Sequence, residues 1–349
     1  MNNKVQFEAW YERFNRLAGD LYPGRYSREY VEELVETAHE VRLLARQKGS
    51  LIIAHNYVYP ELQELAEAVG DSLGLSLLVA ERKAPRVDFC GVWFMGETAK
   101  MILGHRSKVY MPDQPGCSLV ATIDRRRITD WIAQYPDGVV VAYVNTDAQT
   151  KAMSRYLCTS ANAAQVLEYV VRQHPGRRIL FLPDKYLGAA TIATARLNAE
   201  LVDLYDGACH VHARISKEVV EEALAQHPGA ELLIHPECAW SEEIKNGVVP
   251  PDNRHFFSSE QMLRHAAASA GKEFIVATEK GLVYRLRREC PSKRFYPVSD
   301  VAICKYMKMN TMEKLLYSLK HDQFEVEVDN DVSRKARGAV TRMLTIQER

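Results

Sequence analysis

LIIAHNY, Leu51 to Tyr57, is an unbroken apolar run that ends on histidine, asparagine and tyrosine. Strands buried on both faces of a parallel sheet read as continuous apolar runs rather than alternating ones, so this stretch predicts a central strand with a polar carboxyl end. After it come a helix start at Asp71-Ser72-Leu73, a second strand-like run VDFCGVWFM (Val87 to Met95) and a helix from Glu97. A short strand KVYM (Lys108 to Met111) then runs into Pro112, Asp113 and Cys117. The same order recurs twice. GVVVAYVN (Gly138 to Asn145) leads to a helix start at Thr159-Ser160-Ala161, a strand RILFLPD (Arg178 to Asp184), a helix near Ala189 and Cys209. ELLIHPE (Glu231 to Glu237) leads to Ser258-Ser259-Glu260, a strand EFIVATE (Glu273 to Glu279) and VAIC, ending at Cys304.

Three markers share one period. His55 to Tyr143 is 88 residues and Tyr143 to His235 is 92; Ser72 to Ser160 is 88 and Ser160 to Ser258 is 98; Cys117 to Cys209 is 92 and Cys209 to Cys304 is 95. Such self-similarity predicts an α/β fold of three βαβαβ units related by a pseudo-threefold axis, each a three-layer sandwich with a parallel sheet, and an active site at the centre. The divisions that follow are an N-terminal helical extension over 1–48, a first unit over 49–118 completed by 305–349, a second over 119–210 and a third over 211–304. The amphipathic stretch YVEELVETAHEVRLLARQ from Tyr30 predicts a helix packed on the outside.

Open parallel α/β sheets bind ligands beyond the carboxyl ends of their strands. There lie His55 and Tyr57, Tyr143 and Asn145, and His235 and Glu237. A single cysteine is most often a small buried hydrophobe. Cys117, Cys209 and Cys304, however, hold the same phase in successive units, whereas Cys90 falls in a strand, Cys158 before a helix and Cys290 in a loop; Cys238 is the first substitute. Three thiolates from separate units suit a soft metal or an iron–sulfur cluster with one iron left open. Ser72, Ser160 and Ser258 read first as helix N-caps, and a helix start also suits a carboxylate or phosphate. His55, His212 and His235 are either hydrogen-bonded core residues or site groups, and burial near a metal would fit Tyr57 and Glu237 for proton transfer.

Composition narrows the classes. The 45 basic and 45 acidic residues cancel, leaving no basic footprint for nucleic acid or an anionic membrane surface. No apolar run approaches a membrane span, the amino terminus lacks a secretory pattern, and seven scattered cysteines make a poor disulfide framework; the expectation is a cytoplasmic protein with reduced or metal-bound thiols.

Eleven blocks carry a resemblance over about Gly49 to Leu319. They are AHNYV at Ala54, GDSL at Gly70, FCGVWFMGETAK at Phe89, MPDQPGCSL at Met111, YVNTDAQTKA at Tyr143, CTSANA at Cys158, FLPDKYLG at Phe181, CHVHARI at Cys209, IHPEC at Ile234, ATEKGL at Ala277 and CKYMKMNTMEKLLYSL at Cys304. In these the chain resembles the quinolinate synthases, iron–sulfur enzymes of NAD biosynthesis. The resemblance implies a central [4Fe–4S] cluster on Cys117, Cys209 and Cys304. It implies condensation of iminoaspartate with dihydroxyacetone phosphate to quinolinate, phosphate and water, the open iron acting as Lewis acid. It also implies supply of iminoaspartate by an L-aspartate-oxidising enzyme. By the family pattern His55, Ser72, Tyr143, Asn145, Ser160, His235 and Thr278 hold substrate, and Tyr57, Glu237 and His212 serve catalysis. Some relatives carry a CxxCxxC run at the last ligand; here only Cys304 of it is present, so a local disulfide switch is not expected. A zinc hydrolase using cysteine and histidine, or a non-enzymatic iron–sulfur sensor or anion-binding module, are the competing classes.

Overall fold

The computed structural model describes residues 3–239 and 254–346. Within them, strands β1 (Ser50–His55), β2 (Ala68–Gly70), β3 (Arg86–Cys90) and β4 (Lys108–Tyr110) form one sheet. Strands β5 (Val139–Tyr143), β6 (Tyr156–Cys158), β7 (Ile179–Leu182) and β8 (Val202–Leu204) form a second, and β9 (Glu231–Ile234), β10 (Arg254–Phe256), β11 (Glu273–Ala277) and β12 (Arg294–Pro297) a third. The order is the same each time: β2-β1-β3-β4, β6-β5-β7-β8 and β10-β9-β11-β12, with every pair of neighbours parallel. Helices cover the sheets, giving the three-layer α/β architecture expected from the repeat.

The registers show why the apolar runs form the centre. In β1 every residue is buried, and Ile53 and Ala54 face Phe89 and Cys90 of β3 on one side and Ala68 and Val69 of β2 on the other. Two differences from the sequence reading stand out. Each sheet has a further strand at its edge (β2, β6 and β10, three residues apiece), too short to leave a periodic signal. VAIC, moreover, is not a strand. Val301 is 72% exposed, and the last strand of the third sheet is Arg294–Pro297 upstream. The VAIC segment is instead tied by its Ala302 carbonyl to the Lys280 N–H, which fixes the approach to Cys304.

The outer helix Arg28–Lys48 starts at Ser27, whose hydroxyl accepts the Tyr30 N–H at 3.2 Å. It stops at Gly49, which adopts φ 59° and closes the last turn on the Ala45 and Arg46 carbonyls, a left-handed conformation for which glycine carries no Cβ penalty. Val31, Leu34, Val35, Ala38, Val41 and Ala45 form its buried stripe against the helix Met312–His321 and β1. Each fully buried valine or leucine there stabilises by roughly 1.5–3 kcal/mol.

The apolar interior falls into three clusters, and the phase-matched cysteines lie where these meet. Cys117 packs against the first and second, Cys304 against the first and third, and Cys209 against the third. No helix among the described residues is long and apolar enough to cross a membrane.

Candidate active site

The three cysteines share one local device. Each sits three residues before a short 3-10 turn: Val120–Thr122 after Cys117, His212–Arg214 after Cys209, Met307–Met309 after Cys304. In each turn the N–H four residues on returns to the cysteine carbonyl, from Ala121 at 3.0 Å, Ala213 at 2.8 Å and Lys308 at 3.1 Å. The turn then aims backbone N–H groups at the sulfur: those of Val120 and Leu119 at Cys117, of His212 at Cys209, and of Met307 and Tyr306 at Cys304. Amide donors around a thiolate are what an anionic sulfur ligand needs. Burial nevertheless pushes the Cys117 thiol up to about 12, with Cys304 and Glu237 adding to it, and it pushes Cys209 and Cys304 up as well. The thiolates therefore call for a cation.

Cys117, Cys209 and Cys304 all line one cavity, and each of the three is half-buried. Cys90, Cys158, Cys238 and Cys290 are buried and absent from its wall. Cys238, the substitute ligand, donates its Sγ–H to the Ala277 carbonyl at 3.3 Å. Among the described residues, ligand atoms lie within 4.8 Å of one another in the triads Cys209–His212–Glu237 and Glu231–His255–His265, and neither Cys117 nor Cys304 joins one. Four ligands around a zinc ion place their sulfurs about 3.8 Å apart. The three cysteine sulfurs thus do not stand together as a preformed single-ion triad.

The strand ends supply the rest of the wall. Tyr57 N–H donates to His55 Nδ1 at 3.2 Å and Glu237 N–H to His235 Nδ1 at 3.4 Å, so both imidazoles keep their proton on Nε2. Burial holds both rings down at about 3, and they are neutral. From Tyr57 a continuous chain of polar contacts crosses the cavity wall. Its hydroxyl meets Ser259 Oγ at 3.0 Å and Thr278 Oγ1 at 2.7 Å; Thr278 Oγ1 meets His212 Nε2 at 2.8 Å; His212 Nδ1 lies 3.3 Å from Glu237 Oε2; and Tyr143 donates to Glu237 Oε1 at 2.6 Å. Burial works to raise the Glu237 carboxyl, but His212, and after it the Tyr143 hydroxyl, outweigh it and hold the group at about 2. Burial and the Glu237 charge push its neighbour Asp184 the other way. The tyrosine hydroxyls stay protonated, raised well above their ordinary range by burial.

A search of protein families matches residues 39–345 to "Quinolinate synthetase A protein". The chain belongs to the quinolinate synthetase A family. It is 43% identical over 310 residues to the quinolinate synthase of Pyrobaculum aerophilum, covering 87% of this chain and 97% of that one. Against a quinolinate synthase of Thermus thermophilus the identity is 43% over 310 residues, 88% and 97% of the two chains, and against that of Mycobacterium leprae it is 43% over 316 residues, 88% of each. It is an enzyme of that kind.

In this member of the quinolinate synthetase A family, His55, Tyr57, Ser72, Tyr143, Asn145, Ser160, His212, His235 and Glu237 all line the cavity with the three cysteines. Thr278 stands one layer behind, fully buried, with its hydroxyl bonded to the wall residues Tyr57 and His212. Two of the three serines do not cap. Asp71 caps the helix Ser72–Arg82 by accepting the Gly74 N–H, and the helix Ala163–Gln173 begins three residues beyond Ser160, after an Asn162 side chain that accepts the Thr159 N–H. Ser258 does cap, in a full capping box with Gln261. The counterpart of Ser72 in the third unit is therefore Ser259, the first helical residue, which the one-residue phase of the repeat had hidden. Asp71, Thr159, His210, Glu279 and Tyr306 also reach the wall without a signal in the sequence that separates them from ordinary caps and turns. Asn145 Oδ1 is buried without a hydrogen-bond partner among the described residues, an acceptor left for a bound group.

Proposed function

We propose that the chain is a quinolinate synthase of NAD biosynthesis, acting in the cytoplasm, that condenses iminoaspartate with dihydroxyacetone phosphate and releases phosphate and water. Cys117, Cys209 and Cys304 would hold a [4Fe–4S] cluster. The observation that carries this reading is the convergence on one cavity of three half-buried cysteines, one from each repeat and each cradled by the same N–H-rich turn. Once bound, the cluster supplies a Lewis acid for a substrate oxygen or nitrogen at the iron that no cysteine holds.

The chain's own residues bind and move protons. Ser72 and Ser259 stand at the first turns of the helices Ser72–Arg82 and Ser259–Ala268, where free N–H groups and the helix dipole favour a carboxylate or phosphate. Ser160 and the Asn145 side chain extend that polar wall, and His55 and His235 add Nε2–H donors that stay neutral at working pH. Glu237, ionised, takes a proton from substrate carbon or nitrogen, while Tyr57 donates one and is reprotonated along Thr278, His212 and Glu237. Tyr143 and Asn145 position the intermediate. An L-aspartate-oxidising enzyme would supply the iminoaspartate. The unit boundaries at 118, 210 and 304 belong to the same reading. Completion of the first unit by 305–349 is supported as far as Val326 by the bond from its N–H to the Val109 carbonyl and the bridge between Tyr110 and Glu325, whereas the helix Asn330–Thr345 puts Val332, Ala336, Ala339, Val340 and Met343 into the core of the second unit.

A second reading, a mononuclear zinc site, rests on the triad Cys209–His212–Glu237. Anaerobic purification with iron, labile sulfide and zinc analysis, run on the native protein and on Cys→Ser changes at all seven cysteines, separates the two. About four irons lost only in the Cys117, Cys209 and Cys304 variants, with quinolinate formed by the native protein, is the expected result. One zinc that needs Cys209 alone would overturn the proposal.

A further inference from the structure

Away from the cavity, at the other end of the third sheet, Glu231 opens β9, His255 lies on β10 and His265 on the helix Ser259–Ala268. Their ligand atoms all lie within 4.8 Å of one another: Glu231 Oε2 is 2.6 Å from His265 Nε2 and 3.9 Å from His255 Nε2. We propose that Glu231, His255 and His265 form a second, independent metal site for a divalent ion of the zinc type. Two imidazole nitrogens and one carboxylate oxygen are a zinc donor set, which leaves a fourth position for water.

The surroundings orient all three ligands. Glu231 Oε1 accepts the Ser269 hydroxyl, and Ser269 Oγ in turn accepts the Gly271 N–H at 2.9 Å, so the carboxylate presents its other oxygen to the histidines. The His255 ring lies flat against Phe257, with centroids 5.3 Å apart and planes 3° apart; His265 is wedged between Phe257 at 5.1 Å and Phe274 at 6.4 Å. This stacking limits how far either imidazole can turn. Donors around zinc at about 2.0–2.2 Å stand roughly 3.4 Å apart, so binding needs the Glu231–His265 contact to open by about 0.8 Å from 2.6 Å as the proton leaves His265 Nε2, and His255 to close in by about half an ångström. Each ligand is 20–29% exposed, open enough for an ion to enter from solvent. The ion would clamp edge strand β10, which pairs with the sheet only through β9, to the strand and helix beside it.

Zinc titration of the cluster-loaded protein by calorimetry, with zinc-edge X-ray absorption of the complex, tests this. The expected outcome is one zinc per chain bound by nitrogen and oxygen only, with His255→Gln and His265→Gln each weakening it at least about tenfold and His212→Gln leaving it unchanged. Among the described residues His255 makes no hydrogen bond that its loss would break, so its variant keeps the test sound if Glu231→Gln or His265→Gln folds poorly; circular dichroism checks this. Absence of binding, unchanged affinity in the His255 and His265 variants, or sulfur in the zinc shell of the bound ion would overturn the proposal. Should the cluster reading itself fail, zinc in the cavity would show as a sulfur-containing site sensitive to His212→Gln, distinct from this one.

Discussion

His55-Asn56-Tyr57 and His235-Pro236-Glu237 are one backbone turn used twice, at the ends of β1 and β9, and in both the third residue's N–H caps the histidine Nδ1. What differs is the group that the turn delivers. In the first unit it is a phenol held between Ser259 and Thr278 and kept protonated by burial; in the third it is a carboxyl that His212 and Tyr143 keep ionised. The second unit offers Tyr143 and Asn145 at the same place, a donor to Glu237 and an unpartnered acceptor. A repeated scaffold thus sets position, and the neighbours of each delivered group, from its own unit and from the others, set proton affinity.

The sharpest break of this comparison is to neutralise one side. Glu237→Gln keeps the shape of the turn but removes the base, and it is expected to lower kcat by about 10²–10⁴ with iron content unchanged. Tyr57→Phe should cost turnover on the acid side instead. Tyr143→Phe removes a hydroxyl that lowers the Glu237 pKa, so the acid limb of the kcat/KM profile should move to higher pH. An anaerobic quinolinate assay across pH reads all three. A Glu237→Gln enzyme with native turnover would remove the assignment of Glu237 as base.

Much of this was legible in the chain. Buried parallel strands leave long apolar runs, and a period near 90 residues set the unit count and brought together strand ends and cysteines far apart in sequence. The illegible parts share a cause, which is that they depend on contacts between units. Nothing in the sequence around Ser258-Ser259 shows which serine caps and which meets Tyr57, because that is decided by the one-residue offset of the helix start against the first unit. Lys308 likewise carries no signal in CKYMKMN that sets it apart from its neighbours, yet its side chain is buried against Glu279 at 2.9 Å and donates to the Tyr57 carbonyl.

That buried pair separates the third unit from the second. Asp184 Oδ2 accepts the Cys209 N–H at 3.2 Å and Glu279 Oε1 accepts the Cys304 N–H at 3.3 Å, one acidic residue behind each cysteine; of the two, only Glu279 has an internal cation among the described residues. Glu279→Ala strands Lys308 in the interior and is expected to cost about 3–5 kcal/mol in chemical denaturation. Asp184→Ala removes a cap on the helix Lys185–Thr194 and is expected to cost about 0.5–2 kcal/mol. Equal losses would show that both carboxylates act through their cysteine rather than through their other partners. Adding Lys308→Met to Glu279→Ala should recover part of the larger loss, since it removes the unpaired charge.

The smallest effect tests the feature that the two turns share. His55 and His235 are neutral when folded, with pKa values held at about 3 by burial, against an ordinary value of 6.5 in the unfolded chain. Below 6.5 the unfolded chain binds protons that the folded protein refuses, so stability falls as pH falls, with a slope of up to roughly 1.4 kcal/mol per pH unit for each histidine. Glu237 works in a lower window: its depressed pKa contributes stability above its ordinary 4.5 and loses it as pH drops toward 2. Between about pH 7 and 5 the Glu237 window is avoided, and the difference between variant and native curves cancels the other groups that titrate there, the raised Asp184 carboxyl among them. His55→Asn should flatten the curve by one histidine's share and the double change with His235→Asn by two. A slope that is unchanged in both variants would mean that neither imidazole is kept neutral by its turn, and the likeness between the first and third units would then be one of backbone alone.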